Sequence, residues 1–316
     1  MQTVAPTSIS GLHHLTAIAT DPQANVDFYV GVLGLRLVKR TVNFDDPSAY
    51  HLYYGDAAGS PGSILTFFSW PEARRGRVGG GQITRISLSV PPASLDFWRA
   101  RLTAAGITAE RAIRFGEEVL AFRDPDGIPV ELVALADDAR LGWAGTNVPV
   151  EHAVRGMHTV ELTVADPAPT EQLLTALMGY RLLRREGDRA RFAVAEARSG
   201  QFVDVIRQTA EARAMGGAGT IHHIAFRVAD DAAEQAMQER LREAGFRVSP
   251  VMDRSYFRSV YYREAGGILF EIATDVPGFA IDEAPEALGT ALKLPPQYEA
   301  ARAEIERALP PVVLTP

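Results

Sequence analysis

One order of elements occurs four times along this 316-residue chain, and it restricts the possible folds more than any other feature. Each unit opens with an apolar strand, continues with an amphipathic helix and closes with two or three strands, the last an apolar run. The first unit runs from GLHHLTAIAT through DPQANVDFYVGVLGL and TVNFDDPSAYHLYYGD to GSILTFFSW. The second opens QITRISLSV, has the helix ASLDFWRARLTAAG and ends DPDGIPVELVAL. The third opens GMHTVELTVAD, has the helix TEQLLTALMG and ends SGQFVDVIRQ. The fourth opens TIHHIAFRVAD, has the helix AAEQAMQERLREAG and ends SVYYREAGGILFEIATD. Gly34, Gly106, Gly179 and Gly245 stand where the four helices should stop, because glycine tolerates the left-handed conformation of a helix C-cap. A fifth helix is expected over 296–309, with Pro296 in its first turn and Tyr298, Ala301, Ile305 and Leu309 as an apolar stripe.

Composition narrows the class of function. The net charge of −7 argues against nucleic acid as a partner, which calls for a basic patch. No stretch reaches the roughly 20 apolar residues that span a bilayer. The opening MQTVAPTSIS has neither a basic nor an apolar leader region, so no signal peptide is expected. The chain has no cysteine, which removes disulfides, thiolate ligands and a cysteine nucleophile together. A cytoplasmic setting is the simplest expectation, and any metal must be held by nitrogen and oxygen.

Four tandem βαβββ units resemble the vicinal-oxygen-chelate superfamily of glyoxalases, bleomycin-resistance proteins and extradiol dioxygenases. The resemblance covers roughly residues 8–275. It implies an α+β fold in which the units pair into two cup-shaped half-barrels, here followed by a C-terminal helix. Two halves are expected, 8–140 (units one and two) and 152–275 (units three and four), with a tail over 276–316.

The scarce histidines then stand out. Four of seven lie in two HH pairs, His13–His14 and His222–His223, at matching places in the first strands of units one and four. Adjacent strand residues point to opposite faces. In unit four, His222 shares a face with Ile224, Phe226 and Val228, an apolar set suited to packing on the helix. His223 shares the other face with Ala225 and Arg227. The same alternation sends His14 into the cup and His13, with His158 of unit three, to the helix side. Glu271 lies inside the apolar last strand of unit four, where an unpaired carboxylate would be costly. His14, His223 and Glu271 make a two-histidine, one-carboxylate set that suits non-haem Fe(II), though such a site also accepts Mn(II). Arg85 and Thr159 occupy the cup-facing histidine's place in units two and three. A metal is therefore not expected there, and Arg85 is expected to pair with Glu131 or Asp204. Units one and four must then meet, although they are the most distant in sequence.

Ligands drawn from the first and last units resemble the hydroquinone-type ring-cleaving dioxygenases. The stretches that carry this likeness are 11–19, 41–56, 221–228, 253–279 and 288–299. The resemblance implies a metal held by His14, His223 and Glu271. It also implies catalytic or substrate-contacting roles for His13, Thr16, His222, Arg254 and Tyr261, with Tyr261 or a histidine as proton donor. Tyr256, Phe257 and Tyr262 could wall a flat ring. The expected partners are a small aromatic diol and O2, and a homo-oligomer is compatible with these features. Three other readings compete. A glyoxalase-type isomerase would need a fourth ligand, yet unit one offers only Thr66 or Phe67 at that place. A thiol or epoxide transferase would be shorter, and a non-catalytic binder of small aromatics would not need the triad.

Overall fold

The computed structural model describes residues 9–208 and 214–314. Most of the opening MQTVAPTSIS and the first residue of the 8–140 half lie outside them. Unit one contributes β1 (Gly11–Ala19), β2 (Arg36–Asn43), β3 (Asp46–Gly55) and β4 (Ile64–Ser69). Unit two contributes β5 (Gln82–Val90), β6 (Glu110–Arg114), β7 (Glu117–Arg123) and β8 (Pro129–Ala134). Unit three contributes β9 (Gly156–Val164), β10 (Arg181–Glu186), β11 (Arg189–Ala193) and β12 (Phe202–Arg207). Unit four contributes β13 (Ile221–Val228), β14 (Met252–Asp253), β15 (Phe257–Arg263) and β16 (Leu269–Pro277).

In every unit the first strand pairs in parallel with the last, which leaves its other edge open. An open apolar edge must find a partner. β1 joins β13 and β5 joins β9, both antiparallel. Two eight-stranded sheets result, ordered β14-β15-β16-β13-β1-β4-β3-β2 and β10-β11-β12-β9-β5-β8-β7-β6. Units one and four thus share one sheet and units two and three the other, as the ligand pattern requires. Each half of the chain gives one unit to each sheet.

Local signals place the helices. α1 (Pro22–Val26), α3 (Pro167–Gln172) and α4 (Asp231–Glu243) each follow an aspartate, Asp21, Asp166 or Asp230, whose side chain accepts from backbone N–H groups of the first turn. α2 (Leu95–Ala104) follows a short 3-10 turn at Pro92–Ser94. α1 and α3 continue into single π-helical turns, Asp27–Val32 and Leu173–Leu177. The four expected stops are glycines with φ of +69°, +74°, +76° and +90° at Gly34, Gly106, Gly179 and Gly245. The tail segment is less regular than expected: a 3-10 stretch over Pro296–Ala301 precedes α5 (Arg302–Ala308). Its stripe still packs inward, with Ile305 and Leu309 buried and Tyr298 and Ala301 against the same core. Among the described residues, no helix is long and apolar enough to cross a membrane.

The helices cover the outer faces of the sheets, where Trp98, Leu102, Met237 and Leu241 are fully buried. A carboxylate without partners interrupts this layer. Glu234, in the first turns of α4, is sealed from solvent and neither carboxylate oxygen is hydrogen-bonded. Burial, only partly opposed by Arg258, pushes its pKa up to about 7. The unfolded chain releases this proton near pH 4.5, whereas the folded chain holds it to about 7. Stability is therefore lost as pH rises between those values. Glu234→Gln should raise the melting temperature at pH 8 by an amount worth roughly 2 kcal/mol and change it little at pH 4. Equal shifts at both pH values would show that ionisation is not the cause.

Candidate metal centre

Strict alternation fails at both histidine pairs, for a reason that lies between strands. Along the β1–β13 ladder Leu12 faces Phe226, but His14 faces Ala225, so His13 is an extra residue in β1. Further on Thr16 faces His223 and Ala17 faces Ile221, so His222 is an extra residue in β13. Each pair therefore sits on a β-bulge, which re-aims side chains where it interrupts the ladder. The helix-side expectation for His13 and His222 is corrected accordingly. His13 packs 5.1 Å from Phe257, ring to ring, on the cup side, and His222 is exposed at the rim of the cup. The second sheet repeats both bulges, at Thr84 and His158. His158 likewise leaves the helix side and meets Glu117 at 3.2 Å.

His14, His223 and Glu271 converge. The Nε2 atoms of His14 and His223 lie 3.2 and 2.9 Å from Oε2 of Glu271 and 3.4 Å from each other. Among the described residues, this is the group of three or more histidine and carboxylate ligand atoms that could hold an ion, with all of them within 4.8 Å of one another. Glu271 is completely buried, and its Oε2 receives no hydrogen bond of good geometry. A buried carboxylate oxygen without a partner is costly, and a cation in the space between the three groups would satisfy it. Burial would raise the Glu271 pKa, but His14 and then His223 hold it well below the usual carboxylate range.

Hydrogen bonding sets the imidazole tautomers. The carbonyl of Thr274 lies 3.0 Å from His13 Nε2 and can only accept, so that nitrogen carries the proton. Burial, then the neighbouring His14, holds the His13 pKa well below its ordinary value, so the ring is neutral and its Nδ1 is an acceptor. His14 Nδ1, 2.9 Å away, must then donate. His14 Nε2 is then the ring nitrogen that faces Glu271 and His223. The second pair repeats the contact, with His222 Nδ1 2.7 Å from His223 Nδ1. Outer partners of this kind are what orient metal-binding histidines.

The residues expected around the triad divide into three groups. Tyr261, paired across the ladder with Glu271, donates its hydroxyl to Glu271 Oε1 at 3.0 Å. It accepts from Arg254 Nε at 3.2 Å and Ser259 Oγ at 3.0 Å. Arg254 lies over the Tyr261 ring and reaches Asp45 at 3.4 Å. Arg254, Tyr261, Phe257 and His222 line a cavity of about 280 Å³ together with the two inner histidines. Thr16 is buried beneath, bonded to Thr66 at 2.8 Å. Tyr256 and Tyr262 are corrections. Tyr262 follows Tyr261 on the strand and so points to the opposite face, into the Phe246 and Phe270 core. Tyr256 lies before β15, stacks on Phe279 at 5.0 Å and donates to Asp282.

Unit one supplies the part of the wall that sequence reasoning missed: Asn43, Phe44, Asp45, His51, Tyr53, Phe68 and Trp70. A signal for two of them was present. The run AYHLYY places His51 and Tyr53 two apart in a strand, on one face.

The second cup is filled by ion pairs. Arg85, at the histidine's place, reaches Glu131 at 3.5 Å and Glu161 at 3.3 Å. Asp204 is held instead by Arg191, through two bonds of 2.8 and 2.9 Å.

Tyr261→Phe should remove one bond to Glu271 while leaving the three ligand groups. Metal content is expected to stay at the wild-type level while kcat falls about 10–100-fold. An unchanged kcat would show that the phenol plays no part in turnover.

A family model described as "Glyoxalase/Bleomycin resistance protein/Dioxygenase superfamily" matches residues 11–132 and 156–272. The chain is 45% identical over 301 residues to "Putative ring-cleaving dioxygenase MhqO" of Bacillus subtilis (strain 168), covering 95% of this chain and 96% of that protein. It is 33% identical over 318 residues to "Chlorohydroquinone/hydroquinone 1,2-dioxygenase" of Sphingobium indicum, covering 98% and 99% respectively. A crystal structure of a Bacillus subtilis protein described as a "putative dioxygenase" superposes with a TM-score of 0.94 at 44% identity, covering 98% of this chain and 99% of that one.

Proposed function

From the premise that the chain belongs to the glyoxalase/bleomycin resistance protein/dioxygenase superfamily, we propose that it is an Fe(II)-dependent ring-cleaving dioxygenase acting on a hydroquinone or catechol-like diol. The observation that carries this reading is the unbonded Oε2 of Glu271, fully buried and facing two imidazole nitrogens beside an aromatic-walled cavity. The names of the relatives support the reaction class. A cavity of about 280 Å³ is small for a ligand pocket, which favours a single ring.

His14, His223 and Glu271 would hold the ion. Fe(II) bound there would supply the electron transfer between ring and O2 that cleavage requires. The chain's own groups do the rest. Phe44, Phe68, Trp70 and Phe257 exclude water and hold a flat ring. Arg254 places a fixed positive charge at the cavity wall, where it stabilises negative charge developing on oxygen. Tyr261 holds Glu271 in orientation and keeps its phenol proton at Oε1. Burial, then the Glu271 charge, pushes the Tyr261 pKa above its ordinary value, so it acts as a donor and not as a base. Burial, then His223, lowers the His222 pKa to about 3, so the ring stays neutral and orients His223 through the 2.7 Å contact between their Nδ1 atoms.

A glyoxalase-type isomerisation is disfavoured by Thr66. In the sheet register it stands where unit four has Glu271, and its hydroxyl is bound to Thr16 and His51. A fourth carboxylate ligand is therefore not supplied by that strand position.

The test is anaerobic reconstitution with Fe(II), followed by oxygen-electrode measurements with hydroquinone, catechol and their chlorinated forms. Uptake of one O2 per diol is expected for at least one of them. Absence of uptake with all would overturn the dioxygenase reading.

A further inference from the structure

The half of the cup contributed by unit one has no carboxylate at the register place of Glu271, yet it carries an ordered polar chain. Thr66 occupies the register place of Glu271, and Tyr53 is its cross-strand partner just as Tyr261 is the partner of Glu271. Tyr53 and Tyr261 are therefore counterparts across the junction of the two units. The polar chain runs Thr16 Oγ1, Thr66 Oγ1, His51 Nε2, His51 Nδ1, Tyr53 Oη, with every link 2.8 Å. Thr16 and Thr66 are fully buried, and His51 and Tyr53 line the cavity.

Counting protons orients this chain. Burial, then the nearby His14, holds the His51 pKa well below its ordinary value, so the ring carries one N–H. Two threonine hydroxyls, one imidazole N–H and one phenol give four protons for three links. When the links all run one way, the spare proton is at one end. At Thr16 it would be a sealed hydroxyl donor with no acceptor, which costs about 1–3 kcal/mol. At Tyr53 it faces the cavity, where a ligand or water can accept it. The favoured order is Thr16 to Thr66 to His51 Nε2, with His51 Nδ1–H donating to Tyr53.

We propose that Tyr53, polarised by His51, displays its phenol proton to the cavity and hydrogen-bonds the substrate oxygen that does not sit at the triad. Tyr53 is then a specificity-determining residue that selects a ring bearing two oxygens over one bearing a single hydroxyl. His51 is a positioning residue that acts through it. This inference rests on the diol-cleaving reading above.

The experiment measures binding of hydroquinone and of phenol to the Fe(II)-loaded protein by anaerobic calorimetry, so that no turnover intervenes. Tyr53→Phe keeps the ring and removes one hydroxyl. It should weaken hydroquinone about tenfold, the worth of one hydrogen bond, and leave phenol within about twofold. His51→Phe should weaken hydroquinone similarly, and the double variant should be no worse than either single one, because the two residues act in series. Unchanged hydroquinone affinity in Tyr53→Phe, or equal losses for both ligands, would overturn the proposal alone. A wild-type protein that binds neither ligand would instead overturn the diol reading and this inference with it.

Discussion

Glu271→Ala is expected to reduce bound metal from one ion per chain to below about a tenth of that, and to lower O2 uptake by roughly a thousandfold or more. Removal of an outer partner of a metal ligand typically costs about 10–100-fold, and Glu271 is the only anionic member of the group, bridging toward both imidazoles at 2.9 and 3.2 Å. Two neutral nitrogens held by β1 and β13 would remain, too few to retain a divalent ion against buffer. The metal-free protein should lose stability as well, because Glu271, whose pKa the two histidines hold low, also accepts the buried Tyr261 hydroxyl, which would be left unpaired. His13→Ala should give the intermediate result: the ligands stay, but His14 loses the acceptor that fixes its tautomer. Metal analysis and an oxygen electrode check each variant. One ion retained per chain in Glu271→Ala would eliminate the ligand set.

The second large effect is expected in the other sheet. Arg191→Leu should destabilise the protein by about 3–5 kcal/mol, the usual cost of stripping one partner from a buried ion pair. Arg191 makes two bonds to Asp204, which is 2% exposed, and two more to Glu117 at 2.8 and 2.7 Å. Without it, Arg189 at 3.8 Å is the ion-pair partner left to Asp204 among the described residues. The double variant Arg191→Leu/Asp204→Leu should recover part of the loss, since the buried carboxylate leaves with its partner and Glu117 keeps His158 at 3.2 Å. Chemical denaturation measures both. A single variant within 1 kcal/mol of wild type would mean that this cup is not held by its charges. Metal content should be unaffected, because these residues lie in a different sheet from the triad.

The two cups show how one backbone plan takes opposite solutions. Where unit four places His223, unit two places Arg85 and unit three Thr159. A guanidinium beside a buried carboxylate brings its own positive charge, so that cup is complete as folded. Imidazoles beside a buried carboxylate do not fully satisfy it, as Oε2 of Glu271 shows.

Much of this was legible in the chain. Closing glycines mark the helix ends because capping is chemistry of adjacent residues. The apolar face of Ile224, Phe226 and Val228 follows from strand geometry. The rarity of histidine, its pairing in units one and four, and a carboxylate in an apolar strand together indicated the triad. The outward turn of Tyr262 also obeys that alternation, since it is the neighbour of the inward Tyr261. The inward turn of His13 and the rim position of His222 do not, because a bulge is a mismatch between two strands and has no signature in one. His51 and Tyr53 went unassigned because a hydrogen bond from β3 to a threonine of β4 exists only once the strands lie side by side.

Sequence alone determined what each segment is and which chemical groups it carries: the order of strands and helices, the glycine stops, and nitrogen and oxygen as the only available ligand types. The tertiary structure decided how the edges of units one and four register and that both members of each histidine pair leave the helix side. The physical reason is range. Propensity, capping and alternation act over a few residues, whereas ligand convergence and hydrogen-bond satisfaction depend on atoms more than two hundred residues apart that only the paired edges of β1 and β13 bring together.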